Sequence, residues 1–456
     1  MKKLTILFAM VAMVATAWAQ QESVKLSEMI TLPNGLLVLT NDYDSTASVG
    51  GGSVSGDVVI PATVTHQNHE YKITEIDISS FRSMTTITSV KIEGNNLKTI
   101  GDNAFQSCRN MTSINIPSSV TTIGERAFEG CLGLTSIIVP NSVSTLEYNL
   151  FSGCNKLVSL TLPDNVKSIP DGLCNGCSSL TSINIPSTVT SIGKQAFYNC
   201  AALTSITLPN SVNTMGTQAF RGCTSLASVK LSTALTEIPE NAFNGCKVLT
   251  SVEIPASVTT LAKQAFYNCS ALSSIKFGKN LTSIGENSLR GTAITSLDLP
   301  EGVTTIGKAA CYGNKVLTKV TLPSTVTTID TDVFYNCTKL AEVHNRMTTP
   351  LGIVARVFYK AQTGTLYVPK GTVNAYKVAD VWKDFMNIVE ESDTPDTKKG
   401  DVNGDDKIDV VDMNIVINII LGADTAAKYN GRADVNGDNK VDIVDVNAII
   451  NIILGL

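Results

Sequence analysis

Oxygen-bearing side chains recur at alternate positions in two acidic segments near the C-terminus. The first reads Asp-Val-Asn-Gly-Asp-Asp-Lys-Ile-Asp-Val-Val-Asp over residues 401–412, and a near copy follows 33 residues later over 434–445. Calcium takes six to eight oxygen ligands, and a twelve-residue loop supplies them from positions 1, 3, 5, 7, 9 and 12. The two segments therefore predict two calcium loops and two bound Ca²⁺ ions.

Each loop offers the same set of predicted ligands, with a backbone carbonyl at position 7. The first set is Asp401, Asn403, Asp405, the Lys407 carbonyl, Asp409 and Asp412. The second set is Asp434, Asn436, Asp438, the Lys440 carbonyl, Asp442 and Asp445. Without a metal ion the carboxylates of one loop repel each other, so we expect folding of this segment to be coupled to calcium binding.

The loops depart from the usual EF-hand at two positions. Position 6 normally carries Gly for a left-handed turn, whereas this chain has Asp406 and Asn439, residue types that tolerate this conformation better than other non-Gly residues. Position 12 carries Asp in place of Glu, which shortens the reach of the ligand. Position 8 is apolar in both loops (Ile408 and Val441), so we expect it to pin the loops to a common core.

Matching apolar segments follow the loops, Asn-Ile-Val-Ile-Asn-Ile-Ile-Leu-Gly and Asn-Ala-Ile-Ile-Asn-Ile-Ile-Leu-Gly, and both read as helices. With its two loops, the stretch 401–456 resembles the type I dockerin module, a small all-α calcium-binding domain. The resemblance implies a cohesin-like partner on a scaffold or cell-surface protein. By position, it implies that the partner is contacted by Val410, Val411, Ile417, Asn418, Ile443, Val444, Ile450 and Asn451.

The best-known dockerins often carry Ser or Thr at loop positions 10 and 11, where this chain has Val-Val and Ile-Val. A partner of different specificity, or one that is not a cohesin, therefore stays open. Because the two halves are near duplicates, we expect two equivalent binding orientations.

The rest of the chain is organised by a repeat of 23 residues. One apolar column recurs at this spacing: Phe105, Phe128, Phe151, Cys174, Phe197, Phe220, Phe243, Phe266 and Leu289, continued by Cys311 and Phe334. In one unit, residues 180–200, Ile183 and Ile185 alternate as an inward strand face requires, and Pro186 ends the strand. Val189 and Ile192 then point inward from a second short segment. One unit cannot bury its own apolar face, so stacked copies must form a solenoid.

The columns Leu-Thr-Ser-Ile-x-Ile-Pro and Ala-Phe-x-x-Cys resemble the BspA-like, treponemal type of bacterial leucine-rich repeat. The resemblance implies an α/β solenoid, right-handed, with short parallel strands, on a surface or secreted protein. We expect a signal peptide at 1–19, an N-terminal lead-in at 20–54, the solenoid with its caps at 55–390, a linker at 391–400 and the dockerin at 401–456.

Nine of the eleven cysteines share one repeat position: Cys108, Cys131, Cys154, Cys177, Cys200, Cys223, Cys246, Cys269 and Cys337. Side chains in one solenoid column point the same way, with parallel rather than converging Cβ vectors, which disfavours disulfides between neighbours. We expect a buried ladder of thiols that behave as small hydrophobes, with bridged pairs as the alternative.

The outward strand column is predicted to be solvent-exposed. It runs through Asn115, Ile138, Thr161, Asn184, Thr207, Lys230, Glu253, Lys276, Asp298, Thr321 and His344. Alternating charges in its middle predict a cross-strand charge ladder. The column holds no Trp or Tyr, so it is a poor candidate for strong glycan binding. Tyr198, Tyr267, Tyr312 and Tyr335 recur elsewhere, after the Phe column, and fit either a protein interface or packing along the turn edge.

Composition and motifs argue against catalysis and against nucleic acid. The chain has three His, and neither a Gly-x-Ser-x-Gly nucleophile elbow nor a phosphate-binding Gly-rich loop occurs. Ten Asp against three Lys and one Arg give residues 400–456 a net charge of −6, so from the total of −5 the rest of the chain carries about +1. A near-neutral body offers no basic stripe for phosphates. We expect no enzyme activity.

The first residues read as a secretory signal peptide. Lys2 and Lys3 precede an apolar run, and Ala17-Trp18-Ala19 forms a small-x-small cleavage site, so cleavage is expected near Ala19. The run is shorter than the ~20 residues that span a bilayer. We therefore expect a secreted or cell-surface protein without membrane insertion, present as a monomer.

Together these features predict a secreted interaction protein. Its solenoid would bind an unknown extracellular protein in the manner of an adhesin, and its dockerin would attach it to a partner. The alternatives are an accessory, non-catalytic subunit of an extracellular polysaccharide-degrading complex, or a spacer scaffold with no ligand of its own.

Overall fold

The computed structural model describes residues 27–391, 400–404, 407–429, 432–438 and 440–454. The predicted signal peptide, most of the predicted linker and the predicted ligand Asp405 lie outside these residues. The described residues form two compact units: one runs to residue 366 and includes 375–388, and the other comprises 367–374 with the described residues from 389 onward. No helix in the described part of the chain is long and apolar enough to cross a membrane.

The first unit opens with an antiparallel sheet. It contains β1 (Ser27–Thr31), β2 (Leu36–Asn41) and β3 (Thr46–Gly52), with β2 between the other two. A hairpin of β5 (Thr63–His66) and β6 (His69–Ile76) follows, and β6 pairs with β3 in parallel. From β6 onward the solenoid strands pair in parallel.

The solenoid strands form two rows, and each coil of 23 residues can contribute one strand to each row. The first row contains β4 (Gly56–Ile60), β7 (Ile87–Ile92), β9 (Ser113–Ile114), β11 (Ser136–Ile138), β12 (Ser159–Thr161), β15 (Ser205–Thr207), β17 (Ser228–Lys230), β19 (Ser251–Glu253), β21 (Ser274–Lys276), β23 (Ser296–Asp298), β25 (Lys319–Leu322) and β27 (Glu342–Asn345). After β6, the second row contains β8 (Thr99–Ile100), β10 (Thr122–Ile123), β13 (Ser168–Ile169), β14 (Ser191–Ile192), β16 (Thr214–Met215), β18 (Glu237–Ile238), β20 (Thr260–Leu261), β22 (Ser283–Ile284), β24 (Thr305–Ile306) and β26 (Thr328–Ile329).

The register of both rows repeats the sequence period. Ser205 pairs with Ser228, and Thr260 pairs with Ser283, each 23 residues apart. This parallel register confirms the predicted leucine-rich-repeat solenoid. The unit at 180–200 differs from the prediction in one respect: residues 181–185 form no strand, and Ile183 is half-buried while Ile185 is buried.

Stacked aromatic rings form the centre of the solenoid. Phe197, Phe220, Phe243 and Phe266 are fully buried, and neighbouring ring centroids lie 5.3–5.5 Å apart. Offset ring pairs at such distances contribute about 0.5–1.5 kcal/mol beyond the burial of their area. The predicted Phe column thus forms runs of stacked rings, which are interrupted at Cys174 and at Leu289 and Cys311.

The cysteine column is a ladder of buried, unbridged thiols, as predicted. All eleven cysteines lie in the described part of the chain, and all are free and buried. The sequence did not predict a second feature: each column thiol donates a hydrogen bond to a main-chain oxygen 26 or 27 residues earlier, such as Cys131 Sγ to Phe105 O at 3.1 Å and Cys246 Sγ to Phe220 O at 3.4 Å. The small, weakly polar side chain therefore occupies space and also satisfies a buried carbonyl.

The end of the repeats is closed by large aromatic side chains. Tyr376 and Trp382 are fully buried, with ring centroids 5.6 Å apart. The Tyr376 hydroxyl donates to Met347 O at 2.7 Å and accepts from Asn345 Nδ2 at 3.0 Å. The elements of this region are β28 (Thr365–Val368), α1 (Val373–Tyr376), a 3₁₀ turn (Trp382–Asp384) and β29 (Asn387–Glu390).

The C-terminal segment contains two helices and a shared apolar core. Its elements are α2 (Val410–Ile420), a 3₁₀ turn (Ala426–Tyr429) and α3 (Ile443–Leu454). The buried residues of the core are Val402, Val416, Ala433, Val435, Val446 and Ile449. Ile408 and Val441 pack against this core, which confirms the predicted role of loop position 8. The two longest helices of the described residues, α2 and α3, lie in this segment, as a small helical dockerin requires.

Candidate calcium loops and docking face

Helix α2 begins at a reciprocal cap. The Asp409 side chain accepts a hydrogen bond from Val411 N at 2.8 Å, and the Asp412 side chain accepts one from Asp409 N at 3.0 Å. Such a capping box gives partners to backbone N–H groups of the first helical turn that have none within the helix. A carboxylate at this position also interacts favourably with the positive end of the helix dipole. The two predicted ligands at positions 9 and 12 are thereby fixed at the helix start.

Asp412 also joins the helix to the beginning of its own loop. Its Oδ1 accepts from Val402 N at 2.8 Å and from Asn403 N at 3.0 Å, and the residue is fully buried. The position-12 carboxylate is therefore the group that closes the first loop, between its second and last residues.

The second loop repeats these contacts. Asp445 Oδ1 accepts from Val435 N at 2.7 Å and from Asn436 N at 3.0 Å, and Asp445 Oδ2 accepts from Asp442 N at 2.9 Å. Asp442 in turn accepts from Val444 N at 2.8 Å. The two halves are thus duplicates in hydrogen bonding as well as in sequence.

The position-1 carboxylates organise the turns that follow them. Asp401 Oδ1 accepts from Gly404 N at 2.7 Å, and Asp434 Oδ1 accepts from Gly437 N, also at 2.7 Å. Gly404 and Gly437 have φ of 77° and 80°, a left-handed backbone that glycine adopts without strain. In the second loop, Asn436 Oδ1 accepts from Asp438 N at 2.8 Å. Predicted ligands at positions 1, 3, 5 and 12 thus share one hydrogen-bonded loop.

The donor chemistry of the loops suits a calcium ion. The predicted ligands offer only oxygen, the donor type that this hard cation requires. Asp412 and Asp445 are completely buried, and among the described residues neither forms an ion pair with Lys, Arg or His. Buried carboxylates without a cationic partner are costly, so a divalent cation would offset their charge. Within the described residues, no three carboxylate, imidazole or thiol groups converge as a metal-binding cluster.

The predicted partner-contacting residues divide into two kinds. Val410, Val411, Ile443 and Val444 are exposed, with 59%, 49%, 62% and 50% of their surface open. Asn418 and Asn451 are exposed as well. Ile417 and Ile450 instead pack partly against the core. Each half therefore presents an exposed apolar pair at the start of its helix.

Further exposed apolar side chains lie at the helix C-termini, for which the sequence predicted no site. They are Ile420, Leu421, Ile452, Ile453 and Leu454. The signal for them was the shared Ile-Ile-Leu-Gly ending of the two segments, which were predicted only as helices.

On the solenoid, the predicted outward column is exposed over most of its length. One ion pair of the predicted charge ladder forms, between β19 and β21, where Lys276 Nζ lies 3.2 Å from Glu253 Oε1. The prediction was wrong at the last two positions: Thr321 and His344 are buried, with 6% and 8% exposure. They lie in β25 and β27, where the strands are longer and the aromatic cap region follows.

The recurring tyrosines pack along the turn edge and remain partly exposed. Tyr312 and Tyr335 stack with centroids 5.0 Å apart, and Tyr335 stacks on Tyr359 at 4.9 Å. The Arg290 guanidinium lies 4.3 Å from the centre of the Tyr312 ring. Their ring faces contact one another and arginine, which fits the second alternative for these tyrosines, packing along the turn edge.

A parallel-strand solenoid that is followed by a duplicated loop–helix module defines a class of repeat protein that mediates interactions. The model of the BspA type leucine rich repeat region matches residues 74–204, 151–272, 190–317, 236–360 and 304–376. The chain belongs to this family. Residues 399–454 match the model of the dockerin type I domain, whose members bind calcium and cohesins.

Several solved structures are similar to this chain. A leucine rich cell surface protein from Faecalibacterium prausnitzii is 29% identical over 70% of this chain and 94% of its own, with a TM-score of 0.49. A leucine-rich repeat protein from Bacteroides ovatus is 24% identical over 82% and 80%, with a TM-score of 0.50, and supports the fold. The pneumococcal vaccine antigen PcpA is 20% identical over 81% and 100%, with a TM-score of 0.49. No curated protein matches the chain.

Proposed function

We propose that this chain is a secreted or cell-surface interaction protein. Its solenoid binds an extracellular protein ligand in the manner of an adhesin, and its dockerin attaches it to a cohesin-type partner when calcium is present. The observation that carries the attachment role is the duplicated loop, in which Asp412 and Asp445 are buried, lack a cationic partner among the described residues and hold equivalent main-chain groups.

Each loop holds one Ca²⁺ ion in this proposal, through the two ligand sets that the sequence analysis defines. A bound ion supplies the positive charge that offsets the carboxylates of its loop. Asp412 and Asp445 connect the loop to the first turn of α2 or α3. Calcium binding at the loops therefore stabilises the start of the helix that carries the exposed apolar pair.

The docking face has two equivalent halves. Val410 and Val411 present one apolar pair, and Ile443 and Val444 present the other. With Ile417, Asn418, Ile450 and Asn451 they form the proposed contact set. Because either half offers the same chemistry at the same position relative to its loop, a partner binds in one of two orientations, one partner at a time.

The domain limits predicted from the sequence are part of the proposed function. A signal peptide at 1–19, cleaved near Ala19, directs the chain out of the cytoplasm, and the solenoid at 55–390 and the dockerin at 401–456 are joined by the linker at 391–400. The protein acts as a monomer, without nucleic acid and without catalysis.

A calcium-dependent capture experiment tests the attachment role. The full chain is immobilised, incubated with extracellular and surface proteins of the source organism in 1 mM calcium or in excess chelator, and bound proteins are identified by mass spectrometry. We expect a cohesin-type partner to be retained with calcium and released by chelator. Retention that is equal in both conditions, or that survives replacement of both Asp412 and Asp445 by Asn, contradicts the proposal. Asp298→Asn, at an exposed carboxylate of the solenoid, is the matched control.

A second experiment distinguishes between three roles of the solenoid: binding a protein, serving a polysaccharide-degrading complex, and acting as a spacer without a ligand. The purified chain is presented to a glycan array and to a panel of host-matrix proteins. The absence of Trp and Tyr from the first-row face favours binding to a protein in the panel. Binding to plant or host polysaccharides would favour the accessory-subunit role, and no binding in either set would favour the spacer role.

A further inference from the structure

Three consecutive coils leave a groove on the first-row face of the solenoid. The groove has a volume of about 600 Å³, which is within the range of ordinary ligand-binding clefts. It is lined by the outward residues and the strand ends of β17, β19 and β21. No residue of the proposed docking face takes part in it.

The floor of the groove is apolar because the column after each outward residue points into the core. Leu231 and Ile254 fill this column in two coils and are buried, with 6% and 2% exposure. Phe277 occupies the same column in the third coil but remains half-buried. An aromatic ring is therefore open to a ligand at the edge of an aliphatic floor.

Gly278 is a second difference of the third coil. In neighbouring coils this position is Ser232 or Pro255, and a Cβ atom on Gly278 would lie 2.3 Å from Pro255 O. The backbone of the third coil therefore packs against the second more closely than any other residue type would permit. The larger Phe277 side chain directly precedes this close contact between the coils and lines the groove.

The walls of the groove are positively charged. Lys230, Lys276 and Lys279 are exposed along it, and Glu253 is the single acidic residue among those that line it. Glu253 forms an ion pair with Lys276 at 3.2 Å. The groove thus carries a net charge of about +2, while its floor is apolar.

A hydroxyl donor at the groove is also unused. In other coils the equivalent side chain donates to the preceding coil, as Ser211 Oγ does to Val189 O at 2.6 Å and Thr188 Oγ1 does to Val166 O at 2.7 Å. Ser257 Oγ is buried at this position and finds no hydrogen-bond partner in the described structure. A buried donor without a partner is an exception in native structures, and it distinguishes this coil from its neighbours.

We propose that this groove binds an acidic segment of a protein ligand, in which an Asp or Glu stands beside a Leu or Phe. The carboxylate is placed among Lys230, Lys276 and Lys279, and the apolar side chain covers Ile254 and Phe277. This inference rests on the proposed role of the solenoid as a protein-binding surface. A peptide fits better than an acidic sugar because ring hydroxyls would lie on the apolar floor without partners.

The test measures binding of short peptides to the full chain. Blocked, dye-labelled hexapeptides with Glu beside Leu or Phe are titrated by fluorescence anisotropy, together with matched peptides that carry Gln for Glu or Gly for the apolar residue. We expect the acidic–apolar peptides to bind, each matched peptide to bind about tenfold more weakly, and the affinity to fall as NaCl rises. Equal binding by the matched peptides, or no binding by any peptide, overturns the proposal.

Charge reversal locates the site. Lys230→Glu with Lys279→Glu leaves the Lys276–Glu253 pair in place, and we expect it to weaken peptide binding by about a hundredfold. Lys247→Glu with Lys315→Glu makes the same change of charge at exposed lysines outside the groove and is expected to have an effect within about twofold. If both double variants bind alike, the groove is not the site.

Two further outcomes separate this inference from the proposed function. If the chain binds a matrix protein and the groove variants leave that binding unchanged, the protein-binding role stands and the groove assignment fails. If oligogalacturonate binds and only the groove variants abolish this binding, the groove is a binding site but its ligand is an acidic glycan. That outcome overturns the proposal of a peptide ligand. Phe277→Leu, which keeps the floor aliphatic, is expected to weaken peptides with Phe more than peptides with Leu.

Discussion

Val402 and Asp412 are ten residues apart in sequence, and the amide of the first donates to the carboxylate of the second at 2.8 Å. Val435 and Asp445 repeat this contact at 2.7 Å. Both carboxylates are also bonded to the amide at the helix cap, Asp409 N or Asp442 N. In each half, one buried side chain therefore connects the beginning of the loop, the beginning of the helix and the proposed ion. A substitution at this residue is the most direct test of the module.

The first prediction concerns the number of calcium ions bound. Asp412→Asn removes one charge from the first loop while keeping a side-chain oxygen for Val402 N, and Asp445→Asn does the same in the second. We expect calorimetric titration of the full chain to give two calcium sites for the parent, one for each single variant and none for the double variant in the micromolar range, because affinity depends on ligand charge.

Asp298→Asn controls for the loss of a carboxylate elsewhere on the chain and should keep both sites. A single variant that still takes up two ions with unchanged affinity contradicts the assignment of position 12. Circular dichroism with and without calcium shows whether helix content follows the ion, as coupled folding requires.

The second prediction concerns the two halves of the docking face. Val410→Asp with Val411→Asp places charge on one exposed apolar pair, and Ile443→Asp with Val444→Asp does so on the other. If the halves are equivalent, either double variant keeps partner binding within about twofold of the parent, because one orientation survives, and the quadruple variant loses it. Surface plasmon resonance with a captured cohesin-type partner measures this, and complete loss from one half alone rules out equivalence.

The regular spacing of the repeats determined which features of the structure could be predicted from the sequence. The Phe column, the buried thiols and loop position 8 were predictable because each repeats at a fixed spacing, and a repeated apolar residue has one place to go in a stack. The features that were missed depend on departures from the repeat or on backbone partners. The thiol-to-carbonyl bonds connect different coils through main-chain atoms that no side-chain pattern reveals.

Local departures account for the errors on the strand face. Thr321 and His344 keep the register of the outward column, but the strands that hold them are longer and both side chains are buried. Phe277 is half-buried where Leu231 and Ile254 of the same column are buried, and the close backbone approach at Gly278 appears only when the neighbouring coil is in place. For the exposed Leu421 and Leu454, the apolar run predicted a helix correctly but not which of its residues would remain outside the core.

The third prediction concerns alkaline stability. Burial raises the pKa of Cys223 and Cys269 to about 12 from an ordinary value of 9.0, and burial raises the pKa of Cys108 and Cys337 similarly. The unfolded thiols ionise from about pH 9 while the folded thiols stay neutral. The unfolded state therefore binds fewer protons, and stability is full below pH 9 and falls as pH rises toward 12.

Each such thiol steepens the fall by up to about 1.4 kcal/mol per pH unit. Urea unfolding of the parent and of Cys223→Ala with Cys269→Ala, compared between pH 8 and pH 10.5, isolates this contribution, since other alkaline groups are common to both. We expect a shallower pH dependence in the variant, even though its stability at pH 8 is lower. An identical pH dependence in the parent and the variant would mean that the folded thiols ionise at the same pH as the unfolded ones. A thiol reagent should label no cysteine in the folded chain at pH 8 and all eleven after unfolding.

The fourth prediction concerns the ring stack. Phe220 is fully buried between Phe197 and Phe243, with centroids 5.4 and 5.5 Å away, so Phe220→Ala leaves a cavity and loses two ring contacts. We expect a destabilisation of about 3–5 kcal/mol. Phe220→Leu should cost about 1–1.5 kcal/mol, because the chain itself tolerates Leu289 in this column. Tyr198→Ala, at the partly exposed edge of the preceding coil, tests whether the effect belongs to the buried column, and its cost should stay below that of Phe220→Ala. The midpoint of urea unfolding measures all three variants; a loss for Phe220→Leu as large as for Phe220→Ala would show that stacking between rings, and not filled volume, holds the coils together.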